Sequence, residues 1–259
     1  MLNEHDLFLY YQKEGENKHQ FAVDCKSRFH LKRYITSGSL LRKYGREGVV
    51  LDVGSAEGWT AKWASEVADF VVGLEISLPK LKRAVVESSA KNNGFVLGSF
   101  DHMPFRDRVF DVVIWFEGPE HAVNPSAVIA RVCELLKDSG VLTISTMGLR
   151  PPLSYHFIMK LSREWDTYLA SLHGWGHVSL FTKRSLLTLL IDENRLLLKE
   201  SIFVGPKLIV LYELASRMAS LFNMNLEHLP WPGFGCIIYV VSKKTRPAES
   251  VTEDDLVAT

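Results

Sequence analysis

Short apolar segments alternate with amphipathic segments through the middle of the chain. Strands are predicted where five to seven mostly apolar residues stand together, at 49–53, 70–76, 95–100, 110–116 and 140–146. Helical periodicity fills the gaps between them, with segments at 58–68, 77–93 and 124–140. Buried strands that alternate with amphipathic helices predict a parallel sheet with helices on both faces.

The pattern continues less regularly after residue 147. Helices are predicted over 151–172 and 182–196, and two more strands over 196–205 and 235–244. We therefore predict a single α/β domain over residues 1–244, with a Rossmann-like, seven-stranded, mostly parallel sheet. The flanking parts are a helical cap at 1–47, substrate-side insertions at 151–180 and 205–235, and a disordered tail at 245–259.

Composition narrows the function classes. The 259 residues are 47% hydrophobic and 23% charged, with zero net charge, which is typical of a globular domain and does not favour a nucleic-acid partner. The three cysteines lack metal-ligand spacing, and we predict no metal site. Neither a signal peptide nor an apolar run of membrane-spanning length is evident, so a cytoplasmic location is expected.

A basic stretch lies near the N-terminus. No acid occurs between Asp24 and Glu47, whereas seven lysines and arginines do. A solvated helix face is the favoured interpretation. The alternative is a surface for an anionic substrate or a lipid head group, and with it a peripheral contact with a membrane surface.

The first predicted strand contains an acid, Asp52, and breaks into a turn of small residues. Gly54, Ala56 and Gly58 stand two apart, where a dinucleotide fingerprint would have a different spacing. Glycine lets the backbone approach a ligand closely, and the N-terminus of the following helix suits a phosphate or carboxylate. The turn is therefore predicted to hold a nucleoside cofactor.

Two later acids support this prediction. Glu75 ends the second strand, where a carboxylate can accept both hydroxyls of a ribose. Asp101 follows the third strand, where a side chain would meet the rim of a base. Each acid alone could be a solvent-facing strand end or a turn former, but the three acids in this order favour a cofactor site.

With these residues in place, the chain from about 45 to 195 resembles the class I S-adenosylmethionine-dependent methyltransferases that act on small molecules. LDVGSAEG resembles their first motif and GLEIS their second-strand acid motif. The long block from Gly98 to Ser145 is similar to the region between their third and fifth strands, and GWGHVSLFTKRSLLTLL to a weaker segment beyond it.

The resemblance implies S-adenosyl-L-methionine as cofactor and assigns roles to individual residues. The methionine moiety would be held by Asp52, Gly54, Ser55, Ala56 and Gly58. The nucleoside would be bound by Glu75 at the ribose, Ile76 against the adenine, Asp101 at the adenine amino group and His102 through its backbone. Trp115, Phe116 and Glu117 would border the reacting methyl. Ala56 replaces the family's middle glycine, which is tolerable if its φ stays negative.

Catalytic candidates follow from the need to deprotonate a hydroxyl acceptor. They are His177 and His173 in a ring-rich loop, His121, and Glu117. His121 directly precedes a helix start and is favoured as a structural residue, so His177 is the preferred base by a small margin. Glu117 could instead hold an amine acceptor. The apolar insertion at 205–235 would cover a small-molecule or lipid-like acceptor, or pack on the sheet or a second subunit.

Three alternatives stay open at this point. A nicotinamide-dependent oxidoreductase would use a similar turn and Glu75, but the turn spacing argues against it. A nucleic-acid methyltransferase would need an Asp or Asn-Pro-Pro-aromatic motif that this chain lacks after its fourth strand. A non-catalytic, methyltransferase-like partner subunit is kept open by Ala56. The oligomeric state is expected to be a monomer or a homodimer.

Overall fold

The computed structural model describes residues 4–17, 28–149, 176–179, 181–204 and 235–243. The helices are α1 (Glu4–Asn17), α2 (Arg28–Tyr44), α3 (Trp59–Ala64), α4 (Leu78–Glu87), α5 (Pro125–Leu135) and α6 (Lys183–Leu187), with a 3-10 turn at Pro119–His121 and a π-helical turn at Thr188–Glu193. The strands are β1 (Val49–Val53), β2 (Phe70–Glu75), β3 (Asn93–Leu97), β4 (Phe110–Phe116), β5 (Leu136–Leu149), β6 (Phe181–Thr182), β7 (Leu197–Val204) and β8 (Gly235–Ser242).

The strands form one sheet in the order β3-β2-β1-β4-β5-β8-β7, and the two-residue β6 pairs with β5 beside this path. The strands from β3 to β5 are parallel, whereas β8 runs antiparallel to both β5 and β7. The predicted seven-stranded, mostly parallel, Rossmann-like sheet is therefore confirmed.

Three predicted helices end earlier than expected, and the first of them, α3, stops at Ala64 rather than near Ala68. Helix α4 stops at Glu87, because Asn93 accepts from the Ala90 amide and donates to the Ser88 carbonyl, which closes a turn and starts β3 two residues early. Helix α5 stops at Leu135 rather than near Gly140. Leu136 has extended backbone angles and pairs with Phe110, so the chain enters β5 at once.

The core lies on both faces of the central strands. Trp115 in β4 and Tyr239 in β8 are fully buried on the face that α5 covers. On the opposite face, Leu41 of α2 and Ala61 of α3 pack against β1 and β4. Strands buried on both sides explain why β1 and β4 are apolar without alternation.

The N-terminal residues pack against the central domain. Residues 4–17, within the helical cap predicted at 1–47, form α1, which packs on α4. Two of the basic side chains on α2 form ion pairs within the protein, Arg33 with Glu117 and Lys43 with Glu200. The prediction of a solvated helix face is therefore wrong for Arg33, whose side chain is only 12% exposed.

Several predictions fall outside the described residues. They are the helix at 151–172, His173, most of the insertion at 205–235 and the tail at 245–259. Among the helices of the described ranges, none has the length and apolar character that spanning a bilayer requires.

Side chains pack closely against the backbone of β2 at Gly73. A Cβ there would lie 2.6 Å from the Phe95 ring and 2.8 Å from the Ser55 hydroxyl, whereas at Gly94 in β3 the nearest atom is 3.7 Å away. Gly73→Ala should lower the free energy of unfolding by about 1–3 kcal/mol, because the packed neighbours must shift. The matched Gly94→Ala change should have a smaller effect. Urea unfolding of both variants measures this, and equal losses would contradict the close packing.

Candidate active site

The candidate site lies at the carboxyl ends of β1, β2 and β4. Strand β1 pairs with β2 on one side and with β4 on the other, so the strand order reverses there. Open α/β sheets bind ligands at such a switch point, because the connections leave in opposite directions and open a crevice.

The turn after β1 has an unusual backbone. Gly54, Ala56 and Gly58 all have positive φ, at 71°, 48° and 77°. The Gly54 and Ser55 amides both donate to the Leu74 carbonyl, which fixes the turn against the end of β2. A Cβ at Gly54 would meet no atom within 4 Å, so space beside this backbone is open to a ligand.

Ala56 does not have the negative φ that was expected from the sequence. Its φ of 48° is left-handed, which costs an L-residue roughly 1 kcal/mol relative to ordinary backbone. The conformation is held because the Ala56 amide donates to Glu75 Oε2 at 2.8 Å. The expectation of a negative φ was therefore wrong, although the turn keeps the shape that glycine would give.

Asp52 is a buried acid with unused hydrogen-bonding capacity. It is 3% exposed, and its Oδ2 makes no hydrogen bond within the described part of the chain. Burial, with the nearby Glu75 carboxylate, raises the pKa of Asp52 to about 7. The Ser55 hydroxyl is also buried without a partner there. An unsatisfied buried acceptor is costly, and a ligand that brings hydrogen-bond donors, such as the ammonium of an amino acid, would satisfy it.

Glu75 holds the end of β2 to its surroundings. It is 5% exposed, and its carboxylate accepts from the Ala56 amide at 2.8 Å and the Ser77 amide at 2.7 Å. Burial is the main cause that raises its pKa. A carboxylate has about four acceptor positions, so two hydroxyl donors can still be accommodated. The residues thus fit the ribose-binding role that the resemblance implied.

Helix α1 covers this part of the site. The Gln12 amide donates to the Ile76 carbonyl at 2.7 Å and accepts from the Leu78 amide at 3.1 Å. The Ser77 hydroxyl donates to the Tyr11 carbonyl, and Glu14 pairs with Lys80. Sequence reasoning missed Tyr11 and Gln12, because no local motif marks a contact across more than 60 residues.

The other residues that were predicted to bind the cofactor lie along the same edge of the sheet. Asp101 stands four residues after β3, and its carboxylate accepts from the Ser99 hydroxyl at 3.2 Å. That bond matches a turn-forming acid and is compatible with an adenine contact. His102 is exposed beside it, and Phe116 ends β4 half-buried.

Glu117, a catalytic candidate, is fully engaged by the protein. It forms an ion pair with Arg33 at 3.0 Å and accepts from the Ser145 hydroxyl and the Cys236 thiol. Burial alone would raise its pKa, but Arg33 and these hydrogen bonds bring it below its ordinary value. Glu117 therefore stays ionised and is a poor proton acceptor, and the geometry favours an anchoring role.

His121 and His177 come together beside α1. Their rings are 4.8 Å apart, and His177 is 9% exposed. His121 Nδ1 lies 2.6 Å from the Tyr11 hydroxyl and 3.0 Å from the Gly176 carbonyl. The pKa of His121 falls to about 3, mainly through burial and then through His177, so its ring is neutral. Burial also lowers the pKa of His177.

The loop that brings His177 is fixed to the end of β4. The Val178 and Ser179 amides both donate to the Glu120 carbonyl, and the Glu120 carboxylate accepts from the Thr146 hydroxyl. Gly176 has a φ of 74°, and a Cβ there would lie 2.8 Å from the Tyr11 hydroxyl. His121, expected to be structural, is thus part of a convergent group of side chains.

Comparisons with known proteins agree with this architecture. A family model described as "Methyltransferase domain" matches residues 30–194, which is more than half of the chain. The chain therefore belongs to the methyltransferase domain family, as the resemblance in its motifs predicted. The fold is that of the class I enzymes of this family.

Two relatives and one solved structure illustrate the likeness. The chain is 35% identical over 103 residues to a sterol 24-C-methyltransferase of Schizosaccharomyces pombe, covering 37% of this chain and 26% of that protein. It is 26% identical over 136 residues to a ubiquinone biosynthesis O-methyltransferase of Neisseria meningitidis, covering 47% and 57%. The chain thus spans less than two thirds of these curated relatives. The N-methyltransferase NodS of Bradyrhizobium japonicum, solved with S-adenosyl-L-homocysteine, matches with a TM-score of 0.64 at 12% identity, covering 92% and 98%.

The left-handed backbone at Ala56 predicts that two alanine-to-glycine substitutions change stability differently. Ala56→Gly should leave stability unchanged or raise it by up to about 1 kcal/mol, because relief of the left-handed strain outweighs the added freedom of the unfolded chain. Ala130→Gly, at an exposed position inside α5, should lower it by about 1 kcal/mol. Denaturant midpoints of the two variants check this, and a marked loss with Ala56→Gly would contradict the backbone conformation.

Asp52 should make stability depend on pH. The pKa of Asp52 is about 7 in the folded protein and about 4 in an unfolded chain. Between these two pH values Asp52 therefore carries a proton in the folded protein but not in the unfolded chain. Stability due to this group is present at low pH and falls as pH rises towards 7, by at most about 1.4 kcal/mol per pH unit.

Asp52→Asn should therefore flatten the fall in melting temperature between pH 5 and pH 8. Glu75, whose pKa is also raised, leaves a residual slope of the same sign. Asp69→Asn, at an exposed position, serves as the control. An unchanged profile in Asp52→Asn would show that Asp52 does not bind a proton in this range.

Proposed function

We propose that this protein is an S-adenosylmethionine-dependent methyltransferase that acts on a small molecule. The observation that supports this most is the pair of buried acids at the switch point of the sheet. Asp52 has an unsatisfied oxygen and Glu75 has two unused acceptor positions, next to backbone that a ligand can approach. Membership of the methyltransferase domain family supports S-adenosylmethionine as the cofactor.

The sulfonium of S-adenosylmethionine supplies an already activated methyl group. The chain's own residues bind and orient it. Asp52 and the turn from Gly54 to Gly58 hold the amino-acid end, Glu75 accepts from the ribose hydroxyls, and Ile76, Asp101 and His102 surround the base. Helix α1 excludes water from the ribose side, since Gln12 and Tyr11 are hydrogen-bonded over the end of β2.

The acceptor binds on the β4 side of the same edge. Phe116 borders the methyl group, and His177 and His121 lie beyond it at the carboxyl end of β4. Glu117 is assigned a positioning role through its ion pair with Arg33, which ties the end of β4 to α2. In-line transfer needs this kind of fixed geometry, because alignment removes much of the entropic barrier.

The acceptor class is proposed from the relatives together with these side chains. Names of the relatives include a sterol methyltransferase and a ubiquinone biosynthesis O-methyltransferase, so a lipid-like acceptor with a hydroxyl or carbon nucleophile is proposed. A single domain over residues 1–244, a cytoplasmic location, a peripheral contact with a membrane surface and a monomeric or homodimeric state stay predictions.

A non-catalytic partner subunit is the second candidate. In the sequence, this candidate rested on the presence of Ala56 in the turn. The structure supports it less than the enzyme, because Ala56 adopts the left-handed conformation of a glycine and keeps the turn open. The two functions differ in whether the protein binds the cofactor and transfers its methyl group.

Titration with S-adenosylhomocysteine tests the proposal. We expect binding by wild type in the micromolar range and a loss of about 10-fold to 100-fold in Glu75→Gln, because one charged acceptor of the ribose hydroxyls is removed. Glu87→Gln, at the exposed end of α4, is the matched control and should bind as wild type. Isothermal calorimetry measures all three.

Melting curves establish that Glu75→Gln is folded before its affinity is interpreted. If folded wild type binds neither S-adenosylhomocysteine nor S-adenosylmethionine, the enzyme proposal fails and the partner subunit is favoured. If cofactor binds, transfer of a labelled methyl group to a panel of polar and lipid-like acceptors identifies the acceptor. Exclusive reaction of polar acceptors would overturn the lipid-like assignment.

A further inference from the structure

Three potential metal ligands converge at the carboxyl end of β4. Glu120, His121 and His177 each place one ligand atom within 4.8 Å of the others. Bonds of about 2.1 Å to a metal place two ligand atoms at most about 4.2 Å apart, so small side-chain rotations would complete the site. The group combines two imidazoles with one carboxylate, a donor set that proteins use for zinc and for iron.

One tautomer of His121 leaves the correct nitrogen for a ligand. When Nδ1 carries the ring hydrogen, it faces the Gly176 carbonyl at 3.0 Å and the Tyr11 oxygen at 2.6 Å, and both oxygens can accept from it. The lone pair of a neutral ring then lies on Nε2. Metal-binding histidines are held in this way, with the second ring nitrogen donating to a backbone carbonyl or a carboxylate.

The carboxylate and the loop are also held from outside the cluster. Thr146 donates to Glu120 Oε2 at 2.7 Å, which orients that side chain. The Val178 and Ser179 amides bind the Glu120 carbonyl at 2.8 and 3.0 Å, so His177 is fixed relative to Glu120. Ordering by backbone and hydroxyl partners is typical of ligands whose position must be set before the ion arrives.

A purely structural role for these side chains explains less of this arrangement. The His121 and His177 rings lie 4.8 Å apart, and the Glu120 carboxylate lies beside them, so three metal-binding groups share one place in the fold. Two of the ligands are adjacent in the chain, whereas His177 comes from a segment more than 50 residues away, so only the fold unites them.

We propose that Glu120, His121 and His177 bind one divalent transition-metal ion, with Zn²⁺ as the first candidate. This departs from the sequence prediction, which contained no metal. Three protein ligands leave coordination positions open, as in catalytic rather than structural zinc sites.

The open positions would bind the acceptor. A divalent ion lowers the pKa of a bound hydroxyl and fixes its oxygen, so the acceptor would be a hydroxyl compound, best one with two neighbouring oxygens. This second step rests on the proposed methyltransferase function, whereas binding of the ion itself does not.

The first experiment uses untagged full-length protein, freed of metal with a chelator and titrated with Zn²⁺ alone. We expect one equivalent to bind at micromolar or lower concentration, with affinity reduced at least 10-fold in His177→Ala and in Glu120→Gln. Glu66→Gln, which changes an exposed carboxylate outside the cluster, should bind as wild type. Substitution with Co²⁺ reports the ligand geometry through its visible absorption.

The outcomes separate the two proposals. If wild type binds no zinc above millimolar affinity, or if folded His177→Ala binds it as tightly as wild type, the metal site is wrong. His177 is tested first, because it is less deeply buried than Glu120, at 9% against 2% exposed, and a folded variant is therefore easier to obtain. Titration of the metal-free protein with S-adenosylhomocysteine tests the cofactor site independently, so each site can fail without the other.

Discussion

The buried carboxylate of Glu75 is the interaction on which the candidate site depends. Its two oxygens accept from the turn after β1 and from the start of α4, so one side chain sets the spacing of both segments. Removing a carboxylate from water is costly, and these amide donors offset the cost only while the turn keeps its left-handed backbone at Ala56. The strain in the turn and the burial of the acid therefore support each other.

The carboxyl edge divides into two electrostatic environments. On the β1 and β2 side, Asp52 and Glu75 are carboxylates without a basic partner inside the turn, which suits a cofactor that brings ammonium and hydroxyl donors. Beyond β4, the negative charge of Glu117 is balanced by the positive charge of Arg33. Burial keeps the two histidines uncharged. In the proposed function, a cationic methyl donor and its acceptor would thus meet between acidic residues on one side and neutral histidines on the other.

Helix α1 links these two environments. Through Gln12 and the Tyr11 backbone it contacts the end of β2, and through the Tyr11 hydroxyl it contacts His121. Burial raises the pKa of Tyr11, so the phenol stays protonated next to the histidine. This N-terminal helix therefore forms one wall of the candidate site and connects the end of β2 to the histidine pair beyond β4.

The sequence by itself determined the sheet, the order of its elements and the acids at the strand ends. Apolar strands buried on both faces and helices with one apolar face are local patterns, so β1, β2 and β4 could be located almost to the residue. Helix ends were less predictable, since Asn93 and Leu136 respond to side-chain caps and strand pairing. Only the tertiary structure decided the left-handed φ of Ala56, the ion pair of Glu117 and the meeting of Tyr11, Glu120, His121 and His177. These depend on contacts between segments far apart in the chain, for which a single sequence contains no periodic signal.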